Sequence, residues 1–273
     1  MLCRRGAASP AVLLCIFLWI GLYGKTGGYA EEGKKRNAMF LFSVAGLNVR
    51  VNNRYQETEE KCASYRIASD EAYNLTISMT SEQIAAAQAF IRDSFGEHLS
   101  LGQAEAEFIH MDLYRQLFAF DAFRMHGVAV EKGGNAYIFT APSGYGKTTH
   151  ASLWVKAFDD ARIINGDNPI IRLRDGVFYA YGTPFCGKEG YNVNTGAPLK
   201  GICYLQRSGE NRIERMEPYM AFGQLMHEYE VYAQQQMEKA TRVCNQLVEE
   251  VPVYRLFCNK EIDAARVAFE GMR

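Results

Sequence analysis

Residues 136–149 read Ala136-Tyr137-Ile138-Phe139-Thr140-Ala141-Pro142-Ser143-Gly144-Tyr145-Gly146-Lys147-Thr148-Thr149. Tyr137-Ile138-Phe139 is a short apolar run of the kind that forms a buried strand, and the residues from Thr148 to Phe158 have helical spacing. Between them lies a loop of Pro, Ser and two Gly. A phosphate chain needs backbone N–H groups turned inward, small residues that let the backbone approach, a cation, and a helix N-terminus aimed at the anion. This segment supplies all four. Ser143, Gly144, Tyr145, Gly146, Lys147, Thr148 and Thr149 are therefore the expected nucleotide-binding residues. Lys147 is expected to reach the β- and γ-phosphates and the Thr148 hydroxyl to ligate Mg²⁺. The pattern G-x-x-x-x-G-K-[ST] has Ala141 in place of its first Gly; the strand-loop-helix context offsets that departure.

One hydroxyl does not fix a metal ion, so a second ligand is expected after a neighbouring strand. Arg162-Ile163-Ile164-Asn165-Gly166-Asp167 is an apolar strand ending in a carboxylate, and Asp167 is the metal-binding candidate. The plainer alternative is that Asp167 caps a turn beside Asn168-Pro169.

Upstream of this centre, Met39 to Val51 alternates apolar and polar residues around Ala45-Gly46 and predicts a hairpin, with a further strand at Leu75–Met79. Thr80 and Gln83 have the spacing of a capping box, opening a helix to Phe95. Ala104 to Phe120 predicts an amphipathic helix with a solvated charged face. Strands follow at 127–130 and 136–140, then at 162–165, 170–173, 177–181, 200–206 and 212–216. A broken helix over 218–249, a strand at 251–257 and a last helix from Lys260 complete the pass. Strands and helices mixed in this order indicate an α/β domain, with residues 39–273 read as one unit.

Thirty Lys plus Arg against 31 Asp plus Glu leave no excess of positive charge, so nucleic acid is not an expected partner. Arg4 and Arg5 precede an apolar run from Ala11 to Tyr23, and Gly28-Tyr29-Ala30 is a tolerable cleavage site. That is the pattern of a secretory leader, short for a span of about 20 residues. The seven cysteines, at 3, 15, 62, 186, 203, 244 and 258, are odd in number and irregular in spacing, which suits a reducing compartment better than a disulfide framework. Asn74-Leu75-Thr76 is a glycosylation acceptor only if the chain is secreted.

His126-Gly127-Val128, the segment 137–149, Ile163-Ile164-Asn165-Gly166-Asp167 and Tyr181-Gly182-Thr183-Pro184-Phe185-Cys186-Gly187-Lys188 together resemble the catalytic domain of HPr kinase/phosphorylase. They resemble more closely the stand-alone members of the superfamily that also holds ATP-dependent phosphoenolpyruvate carboxykinase; the Thr148-Thr149 pair is similar to the carboxykinase version of the loop. The resemblance runs from about Met39 to the end. The resemblance implies an α/β P-loop phosphotransferase domain with a mixed sheet flanked by helices, ATP and Mg²⁺ as cofactors, and a bacterial, cytoplasmic setting. It also implies His126 as the active-site histidine, Asp167 as metal ligand or acceptor-orienting residue, and Lys188 as a cation on the transferred phosphate. An exposed, solvated lysine is the ordinary alternative for Lys188.

Two departures stand out. HPr kinases carry an Asp-Asp pair after this strand, and Gly166 occupies the position of the acid/base. The chain also leaves no room for their usual separate N-terminal domain, so recognition of HPr itself is not expected. The expected function is transfer of the γ-phosphoryl of ATP to a hydroxyl of a small molecule, peptide or protein, with self-association implied by the hexameric kinases. The alternatives are a nucleotide-binding regulatory protein that has lost catalysis, for which Gly166 speaks, and, third, a carboxykinase. Because ATP is a cytoplasmic cofactor, residues 1–38 are read as an upstream extension of the reading frame with translation starting at Met39, against the secreted or membrane-anchored alternative.

Overall fold

Phe40, Phe42 and Val44 point to one face of strand β1 (Lys35–Val44), and Leu47, Val49 and Val51 do the same on β2 (Leu47–Tyr55). The two pair antiparallel across Ala45 and Gly46, whose φ values of 52° and 68° both lie in the left-handed region that a two-residue hairpin requires. In this computed structural model the described residues are 35–228 and 234–273. The expected leader and its apolar run lie outside them, and β1 begins ahead of Met39.

Contacts gather the chain into two compact units, one ending at Gln116 and one running Leu117–Arg273. The sequence reading treats 39–273 as one domain. The boundary falls within a helix, where no shift in composition marks it.

In the first unit β1 and β2 are completed by α1 (Gln56–Lys61), β3 (Arg66–Ile67) and β4 (Leu75–Ser78), giving a sheet of order β3-β1-β2-β4. Helices α2 (Ser81–Phe95) and α3 (Leu101–Leu117) follow. The capping box at α2 forms as its spacing predicts: Gln83 N–H donates to Thr80 Oγ1 at 3.2 Å and Thr80 N–H to Gln83 Oε1 at 2.9 Å. The α3 face is not the solvated one expected. Glu105 is fully buried, its Oε1 accepting from Arg54 N–H (2.7 Å) and its Oε2 from Tyr55 N–H (3.1 Å) and Thr58 Oγ1 (3.0 Å). Glu105 thus ties the last two N–H groups of β2 and a hydroxyl of α1 together at the junction of the two elements.

The second unit is a mixed α/β layer structure with a curled mixed sheet flanked by helices. Its strands are β5 (Ala122–Arg124), β6 (Val128–Lys132), β7 (Asn135–Thr140), β8 (Arg162–Asn165), β9 (Ile170–Arg174), β10 (Val177–Tyr181), β11 (Gly196–Arg207), β12 (Arg212–Arg215) and β13 (Val253–Cys258). They run in the order β5-β9-β10-β11-β7-β6-β8, with β13 also on β11 and β12 on β13. Strand β7 is apolar on both sides because both faces are covered. Ala136 and Ile138 join a core with Ala221 and Leu225 of α5 (Pro218–Glu228) and Ala240, Val243 and Leu247 of α6 (Gln234–Glu250). Tyr137 and Phe139 join the opposite core with Ala151 and Trp154 of α4 (Lys147–Ala157) and Ala264 and Ala268 of α7 (Asp263–Gly271). Trp154 is wholly buried against Tyr137, Phe139 and Phe269; removing such a side chain from a core costs about 3–5 kcal/mol.

Among the described residues no helix is long and apolar enough to cross a membrane. The five described cysteines carry free thiols.

Candidate functional site

Strand direction decides what meets what. Strand β7 runs parallel to β11, while β6 is antiparallel to both β7 and β8. The carboxyl ends of β7, β8 and β11 and the start of β6 therefore share one edge of the sheet, the edge at which open α/β sheets bind ligands. His126 precedes β6, the glycine loop follows β7, Asp167 follows β8, and Arg207 ends β11.

The loop joins β7 to α4 without an intervening strand or helix. Tyr145 N–H donates to Pro142 O at 3.1 Å, closing a turn whose third position is Gly144 at φ 78°. A positive φ there is what glycine supplies. Gly146, at φ 100°, is the N-cap of α4. Helical bonding starts with His150 N–H to Gly146 O at 2.9 Å, so the N–H groups of Thr148 and Thr149 have no intrahelical acceptor and face the end of the helix. Lys147, 8% exposed, is turned back into the loop, its Nζ 2.8 Å from Ala141 O. Ser143 and Tyr145 are exposed.

Asp167 is positioned by its neighbours rather than by its own carboxylate. Asn165 Oδ1 accepts the N–H groups of Asp167 (3.0 Å) and Asn168 (2.6 Å), and Asn165 Nδ2 donates to Thr183 O and Oγ1. The turn is thus capped by Asn165. The Asp167 carboxylate is left for other partners: Oδ1 lies 3.4 Å from His126 Nε2, and Oδ2 accepts from Asn168 Nδ2 at 3.0 Å. Burial acts to raise the Asp167 pKa, but the hydrogen bond and charge of His126, with Lys147 and Arg124 beyond, outweigh it and hold the carboxyl below its ordinary value. The sequence candidates Lys147, His126 and Asp167 are thereby brought into one electrostatic neighbourhood.

Gly166 has a structural reason. Its N–H donates to Tyr191 O at 2.9 Å, and a Cβ built on it would lie 3.2 Å from Tyr191 Cβ. The segment 191–193 runs along β8, with Asn192 bridged to Asn165 and Val193 N–H bonded to Ile164 O. A side chain at 166 would need Tyr191 to give by a few tenths of an ångström. Lys188 is exposed on the adjoining loop, next to Gly187, which abuts Asp167.

Asn165, Asn168, Thr183 and Arg207 do not figure among the sequence candidates. The first two were signalled by the turn chemistry of Asn165-Gly166-Asp167-Asn168-Pro169; the other two depend on strand pairing distant in sequence.

Among the described residues no group of three or more His, Cys, Asp and Glu could hold a metal by itself. Thr148 and Asp167 fit a different donor set. Mg²⁺ takes one or two protein oxygens and fills the remaining positions with phosphate and water, and an ionised carboxylate and a hydroxyl are suitable oxygens.

No family model and no curated protein matches the chain. Among solved structures, the Hpr(Ser) kinase/phosphatase from Coxiella burnetii is similar at 9% sequence identity and a TM-score of 0.32, over 55% of this chain and 92% of that one.

Proposed function

We propose that the second unit is a nucleotide-dependent phosphotransferase domain that binds Mg·ATP at the loop of residues 143–149 and passes the γ-phosphoryl to a hydroxyl-bearing acceptor. The observation that carries this reading is the buried Lys147 ammonium, held by Ala141 O inside a left-handed glycine loop at the start of a helix. An ammonium pointed into solvent would suit an ordinary turn. One folded into the loop supports a phosphate site, because the terminal phosphates of a nucleotide need a cation there.

In this reading Thr148 and Asp167 supply the protein oxygens for Mg²⁺. The ion, when bound, neutralises charge on the phosphate oxygens. The first-turn N–H groups of α4 and the Lys147 ammonium hold the phosphate chain. Asp167 orients the acceptor hydroxyl. As the acceptor oxygen forms its bond to phosphorus and the bond to the ADP leaving group breaks, the hydroxyl proton passes to the His126–Asp167 pair. Lys188 is the proposed neutralising cation on the adjoining loop. The acceptor is a small molecule, peptide or protein.

Lys147→Ala is expected to abolish incorporation of label from γ-labelled ATP into any acceptor in host extract, while circular dichroism is unchanged. Undiminished labelling by that variant would defeat the reading. A second reading is favoured by Tyr191 over Gly166: the chain binds nucleotide as a regulatory protein without turnover. Tight Mg·ATP binding with no phosphorylated product, detected by mass spectrometry, would select it.

A further inference from the structure

Arg207 is an exposed side chain at the last position of β11, the strand parallel to β7. Pairing of Tyr204 with Thr140 carries the end of β11 past the point where β7 turns into the loop. There Arg207 Nη2 donates to Gly144 O at 2.6 Å, and its guanidinium lies 4.8 Å from the centre of the Tyr145 ring. The carbonyl and the ring belong to two successive loop residues, Gly144 and Tyr145. A planar guanidinium can donate and cover a ring together, which an ammonium does less well.

We propose that Arg207 is the positioning residue of the phosphate loop. It fixes the Gly144–Tyr145 peptide from outside and so keeps the loop, before any ligand arrives, in the conformation that receives the anion. Glycine at 144 and 146 gives this loop many competing conformations, and a ligand that has to select one of them binds more weakly by the fraction of protein in that state. The effect therefore belongs to binding and leaves the transfer step untouched. The proposal rests on the anion-binding reading for its consequence, but its structural half concerns the ligand-free loop.

Two measurements on Arg207→Ala, Arg207→Lys and Tyr145→Leu keep those halves separate. In ligand-free protein, hydrogen exchange of the Tyr145 amide, bonded to Pro142 O, is expected to accelerate about tenfold in Arg207→Ala and less in Arg207→Lys. In titrations with Mg·ATP and with inorganic tripolyphosphate, Arg207→Ala is expected to raise Kd about tenfold for both. Its KM should rise with kcat and melting temperature unchanged. Tyr145→Leu should give a smaller rise, and Arg207→Lys partial recovery. Unchanged exchange at 144–146 in Arg207→Ala would overturn the clamp, as would a fall in kcat at unchanged Kd. Faster exchange in a protein whose wild type binds neither probe would keep the clamp and reject the phosphotransferase reading.

Discussion

Glu105 and Asp167 are both acidic side chains withdrawn from solvent, one in each unit, and they are used in opposite ways. Glu105 has both oxygens committed to the backbone N–H groups of Arg54 and Tyr55 and to the Thr58 hydroxyl, and burial raises its pKa against the pull of those bonds. Asp167 also pays a burial penalty, yet His126, Lys147 and Arg124 overcome it and its pKa falls. Burial alone therefore does not mark a functional carboxylate. What distinguishes Asp167 is that its partners are side chains at a sheet edge, one of them able to carry a proton, whereas those of Glu105 are fixed donors where β2 meets α1.

The largest test of that contrast is Asp167→Asn. It keeps the shape, removes the charge beside His126, and should lower phosphoryl transfer about 10²- to 10³-fold in a protein that still folds and loses only the stability linked to the depressed pKa. A variant that unfolds while retaining its transfer rate would make Asp167 another Glu105. Glu105→Ala should do the reverse. It strands two backbone donors and a hydroxyl and should cost about 3 kcal/mol in urea unfolding, with the Kd for Mg·ATP unchanged in the folded protein.

Acid unfolding separates the two by sign. Asp167, depressed below its ordinary 3.8, contributes stability that is present above that pH and lost as the pH falls through its folded value. Glu105, raised above its ordinary 4.5, contributes stability that is present below that pH and lost as the pH rises through its folded value.

The remaining test concerns a third buried group. His150 accepts from Trp154 Nε1 at Nε2 (3.2 Å), its Nδ1 has no hydrogen-bond partner, and burial pulls its pKa from 6.5 down to about 3. The folded state holds it neutral. Stability should fall as the pH drops from 6.5 towards 3, by at most about 1.4 kcal/mol per pH unit. His150→Leu should flatten that slope in unfolding experiments at stepped pH, at the cost of the Trp154 N–H partner.

Much of this architecture was legible along the chain because it depends on local chemistry. The Ala45-Gly46 hairpin, the Thr80–Gln83 capping box and the strand-loop-helix at 136–157 all draw their signals from residues a few positions apart. The burial of Glu105 was not legible because a carboxylate on an amphipathic helix has the same sequence whether it meets water or the backbone donors at the end of a strand. Tyr191 over Gly166 and Arg207 on Gly144 were hidden for a related reason: each contact is made by strand pairing between segments tens of residues apart. Gly166 could be seen to depart from the kinase pattern, but not that Tyr191 packs closely against it.

The most direct test is calorimetric titration of the ligand-free protein with Mg·ATP, beside Lys147→Ala. A single saturable site in the wild type, lost by at least about a hundredfold in the variant, is the result predicted from the buried ammonium in the glycine loop. Equal affinity in the two proteins, or no binding to either, would contradict it.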